Sequence, residues 1–171
     1  MSKLISAIIL SISLIACNSH NPPIEKEVLS NELNTLMDNW HQAAAVADEE
    51  IFFGSMHDDA IYLGTDKSER WEKAIFKEWS SKFFDRDTAW AFTPYDRELY
   101  FAQDGQTVWF EELLDTWMGP CRGSGVITLK ENHWKIAHYN LAMLIDNDDV
   151  QDVITLLTNK AQPLLVLPDS Q

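Results

Sequence analysis

Positive charge is scarce in this chain. It carries 13 Lys and Arg against 27 Asp and Glu, a formal net charge of −14. Lys and Arg supply most non-specific affinity for phosphate backbones, so this surface has the wrong sign for nucleic acid, and no nucleic-acid partner is expected. Cysteine is nearly absent too, being confined to Cys17 and Cys121. No apolar run reaches the roughly 20 residues that a membrane-spanning helix needs. There are no internal repeats and no low-complexity segments, and 171 residues suit a single domain. The oxygen-rich stretches His57-Asp58-Asp59 and Asp146-Asn147-Asp148-Asp149 lack the spacing of a calcium loop. Local turns and helix caps explain them, and neither a metal nor a cofactor is expected.

What is present begins with an export pattern. Lys3 gives a positive start, Leu4 to Ile15 form an apolar run broken only by serines, and Leu14-Ile15-Ala16-Cys17 closes it. That ending resembles the lipobox of bacterial lipoproteins. The resemblance implies cleavage after residue 16, a lipid on Cys17, and a cell-envelope location. Asn18 after the cysteine points to the outer membrane, facing the periplasm. Removing residues 1–16 takes away one lysine and leaves 12 − 27 = −15. With Cys17 lipidated, Cys121 has no intrachain partner and reads as a small residue in or near a strand.

The expected organisation is a signal over 1–16, a lipidated tether over 17–28, a folded domain over 29–146, and a C-terminal helix and tail over 147–171. Pro22-Pro23 favours an extended tether. Leu33, Leu36, Met37, Trp40, Ala44 and Ala47 then recur at helical spacing, with Ser30 or Asn31 as the N-cap. A short second helix is expected over 49–56 and a strand over 60–63. Ser68 is placed to cap a helix that sets Trp71, Ile75, Trp79 and Phe83 on one side. Strands are expected over 89–102, 107–117, 122–130 and 133–144, and short connections make the last three antiparallel neighbours.

Alternation along those strands assigns faces. Taking Glu131-Asn132 as a two-residue turn sets Gly123 opposite Asn140, Gly125 opposite His138, Ile127 opposite Ile136 and Leu129 opposite Trp134. One face then carries Trp109, Glu111, Gly123, Gly125, Ile127, Trp134, Ile136, His138 and Asn140. The other carries Phe110, Glu112, Arg122, Ser124, Lys135, Ala137 and Tyr139. Two readings of the glycines stay open: a hollow beside His138 and Asn140 for a small, partly apolar molecule, or a β-bulge that curves the sheet. A bulge would also swing Arg122 towards Glu111.

The element order, with Trp40-His41, Gly64-Thr65-Asp66, Glu69-Arg70-Trp71, Trp109 to Leu114, Cys121 to Val126 and Trp134 to Leu141, resembles the SnoaL-like branch of the nuclear transport factor 2-like superfamily. The likeness runs from about Leu33 to Asp146. It implies an α+β cone, a curved antiparallel sheet wrapped around a long N-terminal helix and enclosing a pocket, often in a homodimer. Members include isomerases, dehydratases, epoxide hydrolases and cyclases as well as domains without known reactions, so fold alone does not decide chemistry. The leading expectation is a lipid-anchored domain that binds a small molecule through Trp40, Trp109, Arg122, Tyr139 and Asn140. The alternatives are an acid/base enzyme with Glu111 as base and His138 or Tyr139 as partner, or an envelope interaction module. Close carboxylate–imidazole geometry would favour the enzyme.

Overall fold

The computed structural model describes residues 23–161. The signal expected over 1–16 and the lipidated Cys17 lie outside the described residues. The chain runs α1 (Pro23–Ala45), α2 (Glu49–Gly54), β1 (Met56–Leu63), β2 (Arg70–Glu72), α3 (Lys73–Phe84), β3 (Thr93–Phe101), β4 (Thr107–Thr116), β5 (Gly119–Lys130), β6 (His133–Met143), a 3₁₀ turn (Asn147–Asp149) and α4 (Val150–Ala161). The result is an α+β fold with one six-stranded sheet in the order β2-β1-β6-β5-β4-β3.

Helix α1 starts at Pro23 rather than at a Ser30 or Asn31 cap. Proline is well suited to the first helical turn, where its missing N–H is not needed, and Ser30 is interior, its hydroxyl donating to the Lys26 carbonyl. The expected stripe is the buried one: Leu33, Met37, Trp40 and Ala44 lie under the sheet. The helix ends before Ala47, which sits at φ 56°. The Asp48 N–H returns to the Ala43 carbonyl and the Ala47 N–H to that of Ala44, a Schellman closure built without its usual glycine.

Three expectations are corrected by the sheet. First, it is mixed rather than antiparallel, because β1 pairs parallel with β6. The chain leaves β1 through β2 and α3, builds the β3–β4–β5 meander, and returns with β6 beside β1 in the same direction. Second, Ser68 caps no helix; its hydroxyl is bound to Asp66, and Trp71 lies in the short β2, paired with Tyr62. Third, the β5–β6 register holds at Leu129↔Trp134 and Ile127↔Ile136, then slips, giving Val126↔His138, Gly125↔Tyr139 and Gly123↔Leu141. Ala137 is the extra residue of a bulge in β6. One inserted residue inverts the facing of everything beyond it, so the side chains expected on a single face divide between two.

The edge strand β3 carries a second bulge. Tyr95 pairs with Leu113 and Glu98 with Glu111, leaving Asp96 and Arg97 together opposite Glu112. Asp96 takes φ 47°. This kink is what turns Arg97 inward, and its side chain is only 7% exposed.

Candidate functional site

Alternation along β4 puts Val108, Phe110, Glu112 and Leu114 inside. Glu112 is therefore a carboxylate in an apolar interior, 1% exposed. Such a group persists only when it is paired and hydrogen-bonded. Three elements meet that need. His41 Nε2 on α1 lies 2.7 Å from Oε1. The Tyr139 hydroxyl on β6 donates to the same oxygen at 3.0 Å, and Arg97 Nε donates to Oε2 at 2.8 Å. Arg97 Nη1 continues to Asp38 Oδ1 at 2.8 Å and to Asn34. Gly123 makes the cluster possible, since a Cβ there would meet the Tyr139 hydroxyl and would lie 2.9 Å from Glu112 Oε1.

The electrostatics follow from this geometry. Burial pushes the Glu112 carboxyl up, but the hydrogen bond and charge of His41, followed by Arg97, more than offset it and hold the group below the usual carboxylate range. Tyr139 is raised well above the ordinary phenol value, first by burial and then by Glu112, so it remains a protonated donor. An ionised carboxylate only accepts, so His41 Nε2 carries the proton of this contact. Among the described residues Nδ1 has no partner. His41 lines a cleft of about 350 Å³ with Asp38, Gln42, Thr93 and Pro94. Two buried donors, Trp40 Nε1 and Arg97 Nη2, also lack partners within the described protein. The Trp40 ring packs against His41 and Tyr139 at centroid distances of 5.1 and 4.7 Å.

The residues expected to carry function are split by the sheet. Trp40 and Tyr139 lie inside, at this cluster. Trp109, Glu111, His138, Arg122 and Asn140 belong to the outer face. Glu111 is exposed and pairs with Ser124 rather than Ile127; among the described residues its side chain accepts only from Tyr100, at 3.3 Å. Arg122 is exposed opposite Leu113 and Ala142. The hollow expected beside the glycines is filled inside: a Cβ on Gly125 would lie 2.9 Å from the Phe110 ring, just as one on Gly123 would meet Tyr139. A shallow concavity of about 480 Å³ does adjoin Trp109, Glu111, Ser124, Gly125, Val126 and His138, but on the outside of the sheet.

His41, Glu112 and Arg97 were missed as a set. The first had a signal, since Leu33, Met37 and His41 continue one i, i+4 row of α1. Arg97 had none, because its inward turn depends on the β3 bulge.

A second cleft, of about 200 Å³, lies between α3 and the ends of β1 and β6. Eight of its fourteen lining residues are aromatic, and Glu69 and the Tyr62 hydroxyl join them. Among the described residues no three His, Cys, Asp or Glu side chains gather as a metal site would require.

A helix laid in a curved sheet, with a buried polar cluster between them and clefts at its rim, defines a cone-shaped α+β domain. The model of the SnoaL-like domain matches residues 33–146, two-thirds of the chain, and the protein belongs to that family. No curated protein matches it. Solved structures share the fold. A nuclear transport factor 2-like protein of unknown function from Pseudomonas putida KT2440 is 13% identical, with a TM-score of 0.59 over 71% of this chain and 91% of that one. A protein of unknown function from Mycobacterium tuberculosis gives 11%, 0.61, 76% and 80%. A candidate scytalone dehydratase from Novosphingobium aromaticivorans gives 8%, 0.58, 70% and 87%.

Proposed function

We propose that this protein is a lipid-anchored acid/base enzyme of the SnoaL-like type, with His41 as its general base. The observation that supports it is the buried 2.7 Å contact between His41 Nε2 and Glu112, with Nδ1 unpaired among the described residues and His41 itself lining a cleft. Glu112 fixes the tautomer and stabilises the imidazolium formed when Nδ1 takes a proton. Arg97 and Tyr139 hold Glu112 in place and need not touch substrate. A positioned histidine of this kind contributes about 10²–10⁴-fold to a proton transfer. The substrate class is a small molecule with an acidic C–H or O–H beside an oxygen function, and the reaction a proton abstraction, dehydration or hydration.

Diethyl pyrocarbonate tests the open base directly. It acylates an unpaired imidazole nitrogen, so peptide mass analysis of the native protein is expected to find His41 modified. Acylation of the exposed His133 without any of His41 would remove the base from the cleft and end the enzyme reading. The anchor is tested separately: intact mass of the membrane-extracted protein should show a diacylglyceryl group on Cys17, lost in Cys17→Ser.

A further inference from the structure

The aromatic cleft beside α3 lies outside the His41 chemistry, and its composition is unusual for a simple gap in packing. Its walls are rings packed on rings: Tyr62 on Phe76 at 4.2 Å, Trp71 on Phe76 at 5.3 Å and Trp71 on Trp79 at 4.6 Å. Trp117, at the β4–β5 turn, adds a ring to the lining while 82% of it faces water. An indole left this exposed buries little apolar area on folding.

Two polar groups converge on the same space. The Tyr62 side chain belongs to a residue only 5% exposed, and its hydroxyl has no hydrogen-bond partner among the described residues. Burial, then the charge of Glu69, raises its pKa, so it stays a neutral donor. Glu69 is folded back against Gly64, where a Cβ would meet its carboxylate, and it accepts from the Asp66 N–H at 3.1 Å. No lysine, arginine or histidine lines the cleft.

Ring faces carry negative potential, and a carboxylate beside them deepens it; boxes of this composition attract ammonium groups. An anion would meet the wrong sign, and a neutral hydrocarbon would make no use of Glu69. The chain's own cations already occupy the rim rings. Lys82 Nζ stands over Trp79 and Phe83 at 5.5 and 5.0 Å, and the Arg86 guanidinium over Phe83 at 4.8 Å. The formal charge of −14 draws cations in from a distance.

We propose that this cleft is a binding site for a compact organic ammonium ion, quaternary or a protonated amine, with the cationic end among the rings of Trp71, Trp79 and Trp117 and Glu69 as its counter-charge. The site is independent of the His41–Glu112 reading, and His41→Gln leaves its affinity unchanged.

The test compares choline with 3,3-dimethylbutan-1-ol, which has the same shape without the charge, by calorimetric titration and tryptophan fluorescence of the full mature chain. Choline is expected to bind saturably and about tenfold or more tighter than the alcohol. Glu69→Gln should remove most of that preference by weakening choline alone. Trp117→Ala should weaken choline with the unfolding temperature unchanged, which keeps the test open if Glu69→Gln folds poorly. Equal affinity for the two probes would show a merely apolar cleft, and absence of saturable choline binding would overturn the site altogether.

Discussion

Glu111 and Glu112 are neighbours in the chain and opposites in the fold. Glu112 faces inward, is 1% exposed, and accepts from a histidine, a tyrosine and an arginine drawn from three other elements. Glu111 faces outward and has one tyrosine hydroxyl at 3.3 Å. Each strand face even repeats the other's motif, a carboxylate beside a tyrosine near a tryptophan. Only the inner copy is desolvated, and desolvation is what makes a carboxylate's partners matter. What a glutamate can do is set by the side of the sheet it occupies.

The contrast is most sharply broken by truncation. Glu112→Ala leaves the buried Arg97 guanidinium with only the exposed Asp38 as counter-charge, and loss of a buried partner costs about 3–5 kcal/mol. Glu111→Ala should leave the urea midpoint where it is. Similar shifts in both variants would mean that the inner cluster is water-filled. Next in size is the tyrosine pair. Tyr139→Phe removes a hydrogen bond to a buried charge, about 1.5–3 kcal/mol, whereas Tyr100→Phe removes an exposed one and should be silent in the same unfolding measurement.

Acid should separate the two faces as well. The Glu112 pKa is lowered on folding, so this group adds stability above its unfolded value, near 4.5, and loses it as pH falls through the lower folded value. Wild type should therefore lose stability on going below about pH 4.5, and Glu112→Gln should flatten that part of the profile. Unaltered acid sensitivity in Glu112→Gln would assign the effect to other carboxylates. The smallest change lies away from both faces: Ala47 holds φ 56° at the end of α1, and Ala47→Gly should raise stability by roughly 0.5 kcal/mol, relief of left-handed strain being partly cancelled by a freer unfolded chain. A decrease on thermal unfolding would mean that the alanine methyl packs better than its backbone suffers.

Much of the architecture was legible locally. The Leu33, Met37, Trp40, Ala44 row, the Glu131-Asn132 turn with both residues at positive φ, and the order of helices and strands each follow from spacing over a few residues. The family resemblance from Leu33 to Asp146 coincides with the matched domain at 33–146. The site was legible only in part. Phe110, Glu112 and Tyr139 were grouped on one face by alternation, and they do share the interior. Setting that face apart from Ile127 and Ile136 failed for two reasons: Val108 rather than Glu111 pairs with Ile127, which turns Phe110 and Glu112 inward, and the extra residue Ala137 turns Tyr139 inward. The glycines, read either as a hollow or as a bulge, make room inside for Tyr139 and Phe110, while Gly125 also borders the outer concavity.

The sequence by itself determined the period of each element and the α+β class, because these depend on side-chain spacing along the chain. The acidic charge and the wealth of tryptophan are likewise fixed before folding. Tertiary structure alone decided which of two adjacent glutamates is desolvated, that β1 joins β6 in parallel, and that Arg97 turns inward to meet Glu112 and His41. Each of those depends on a bulge or a long-range pairing. A single unpaired residue in a strand costs little locally, yet it reverses every side chain that follows.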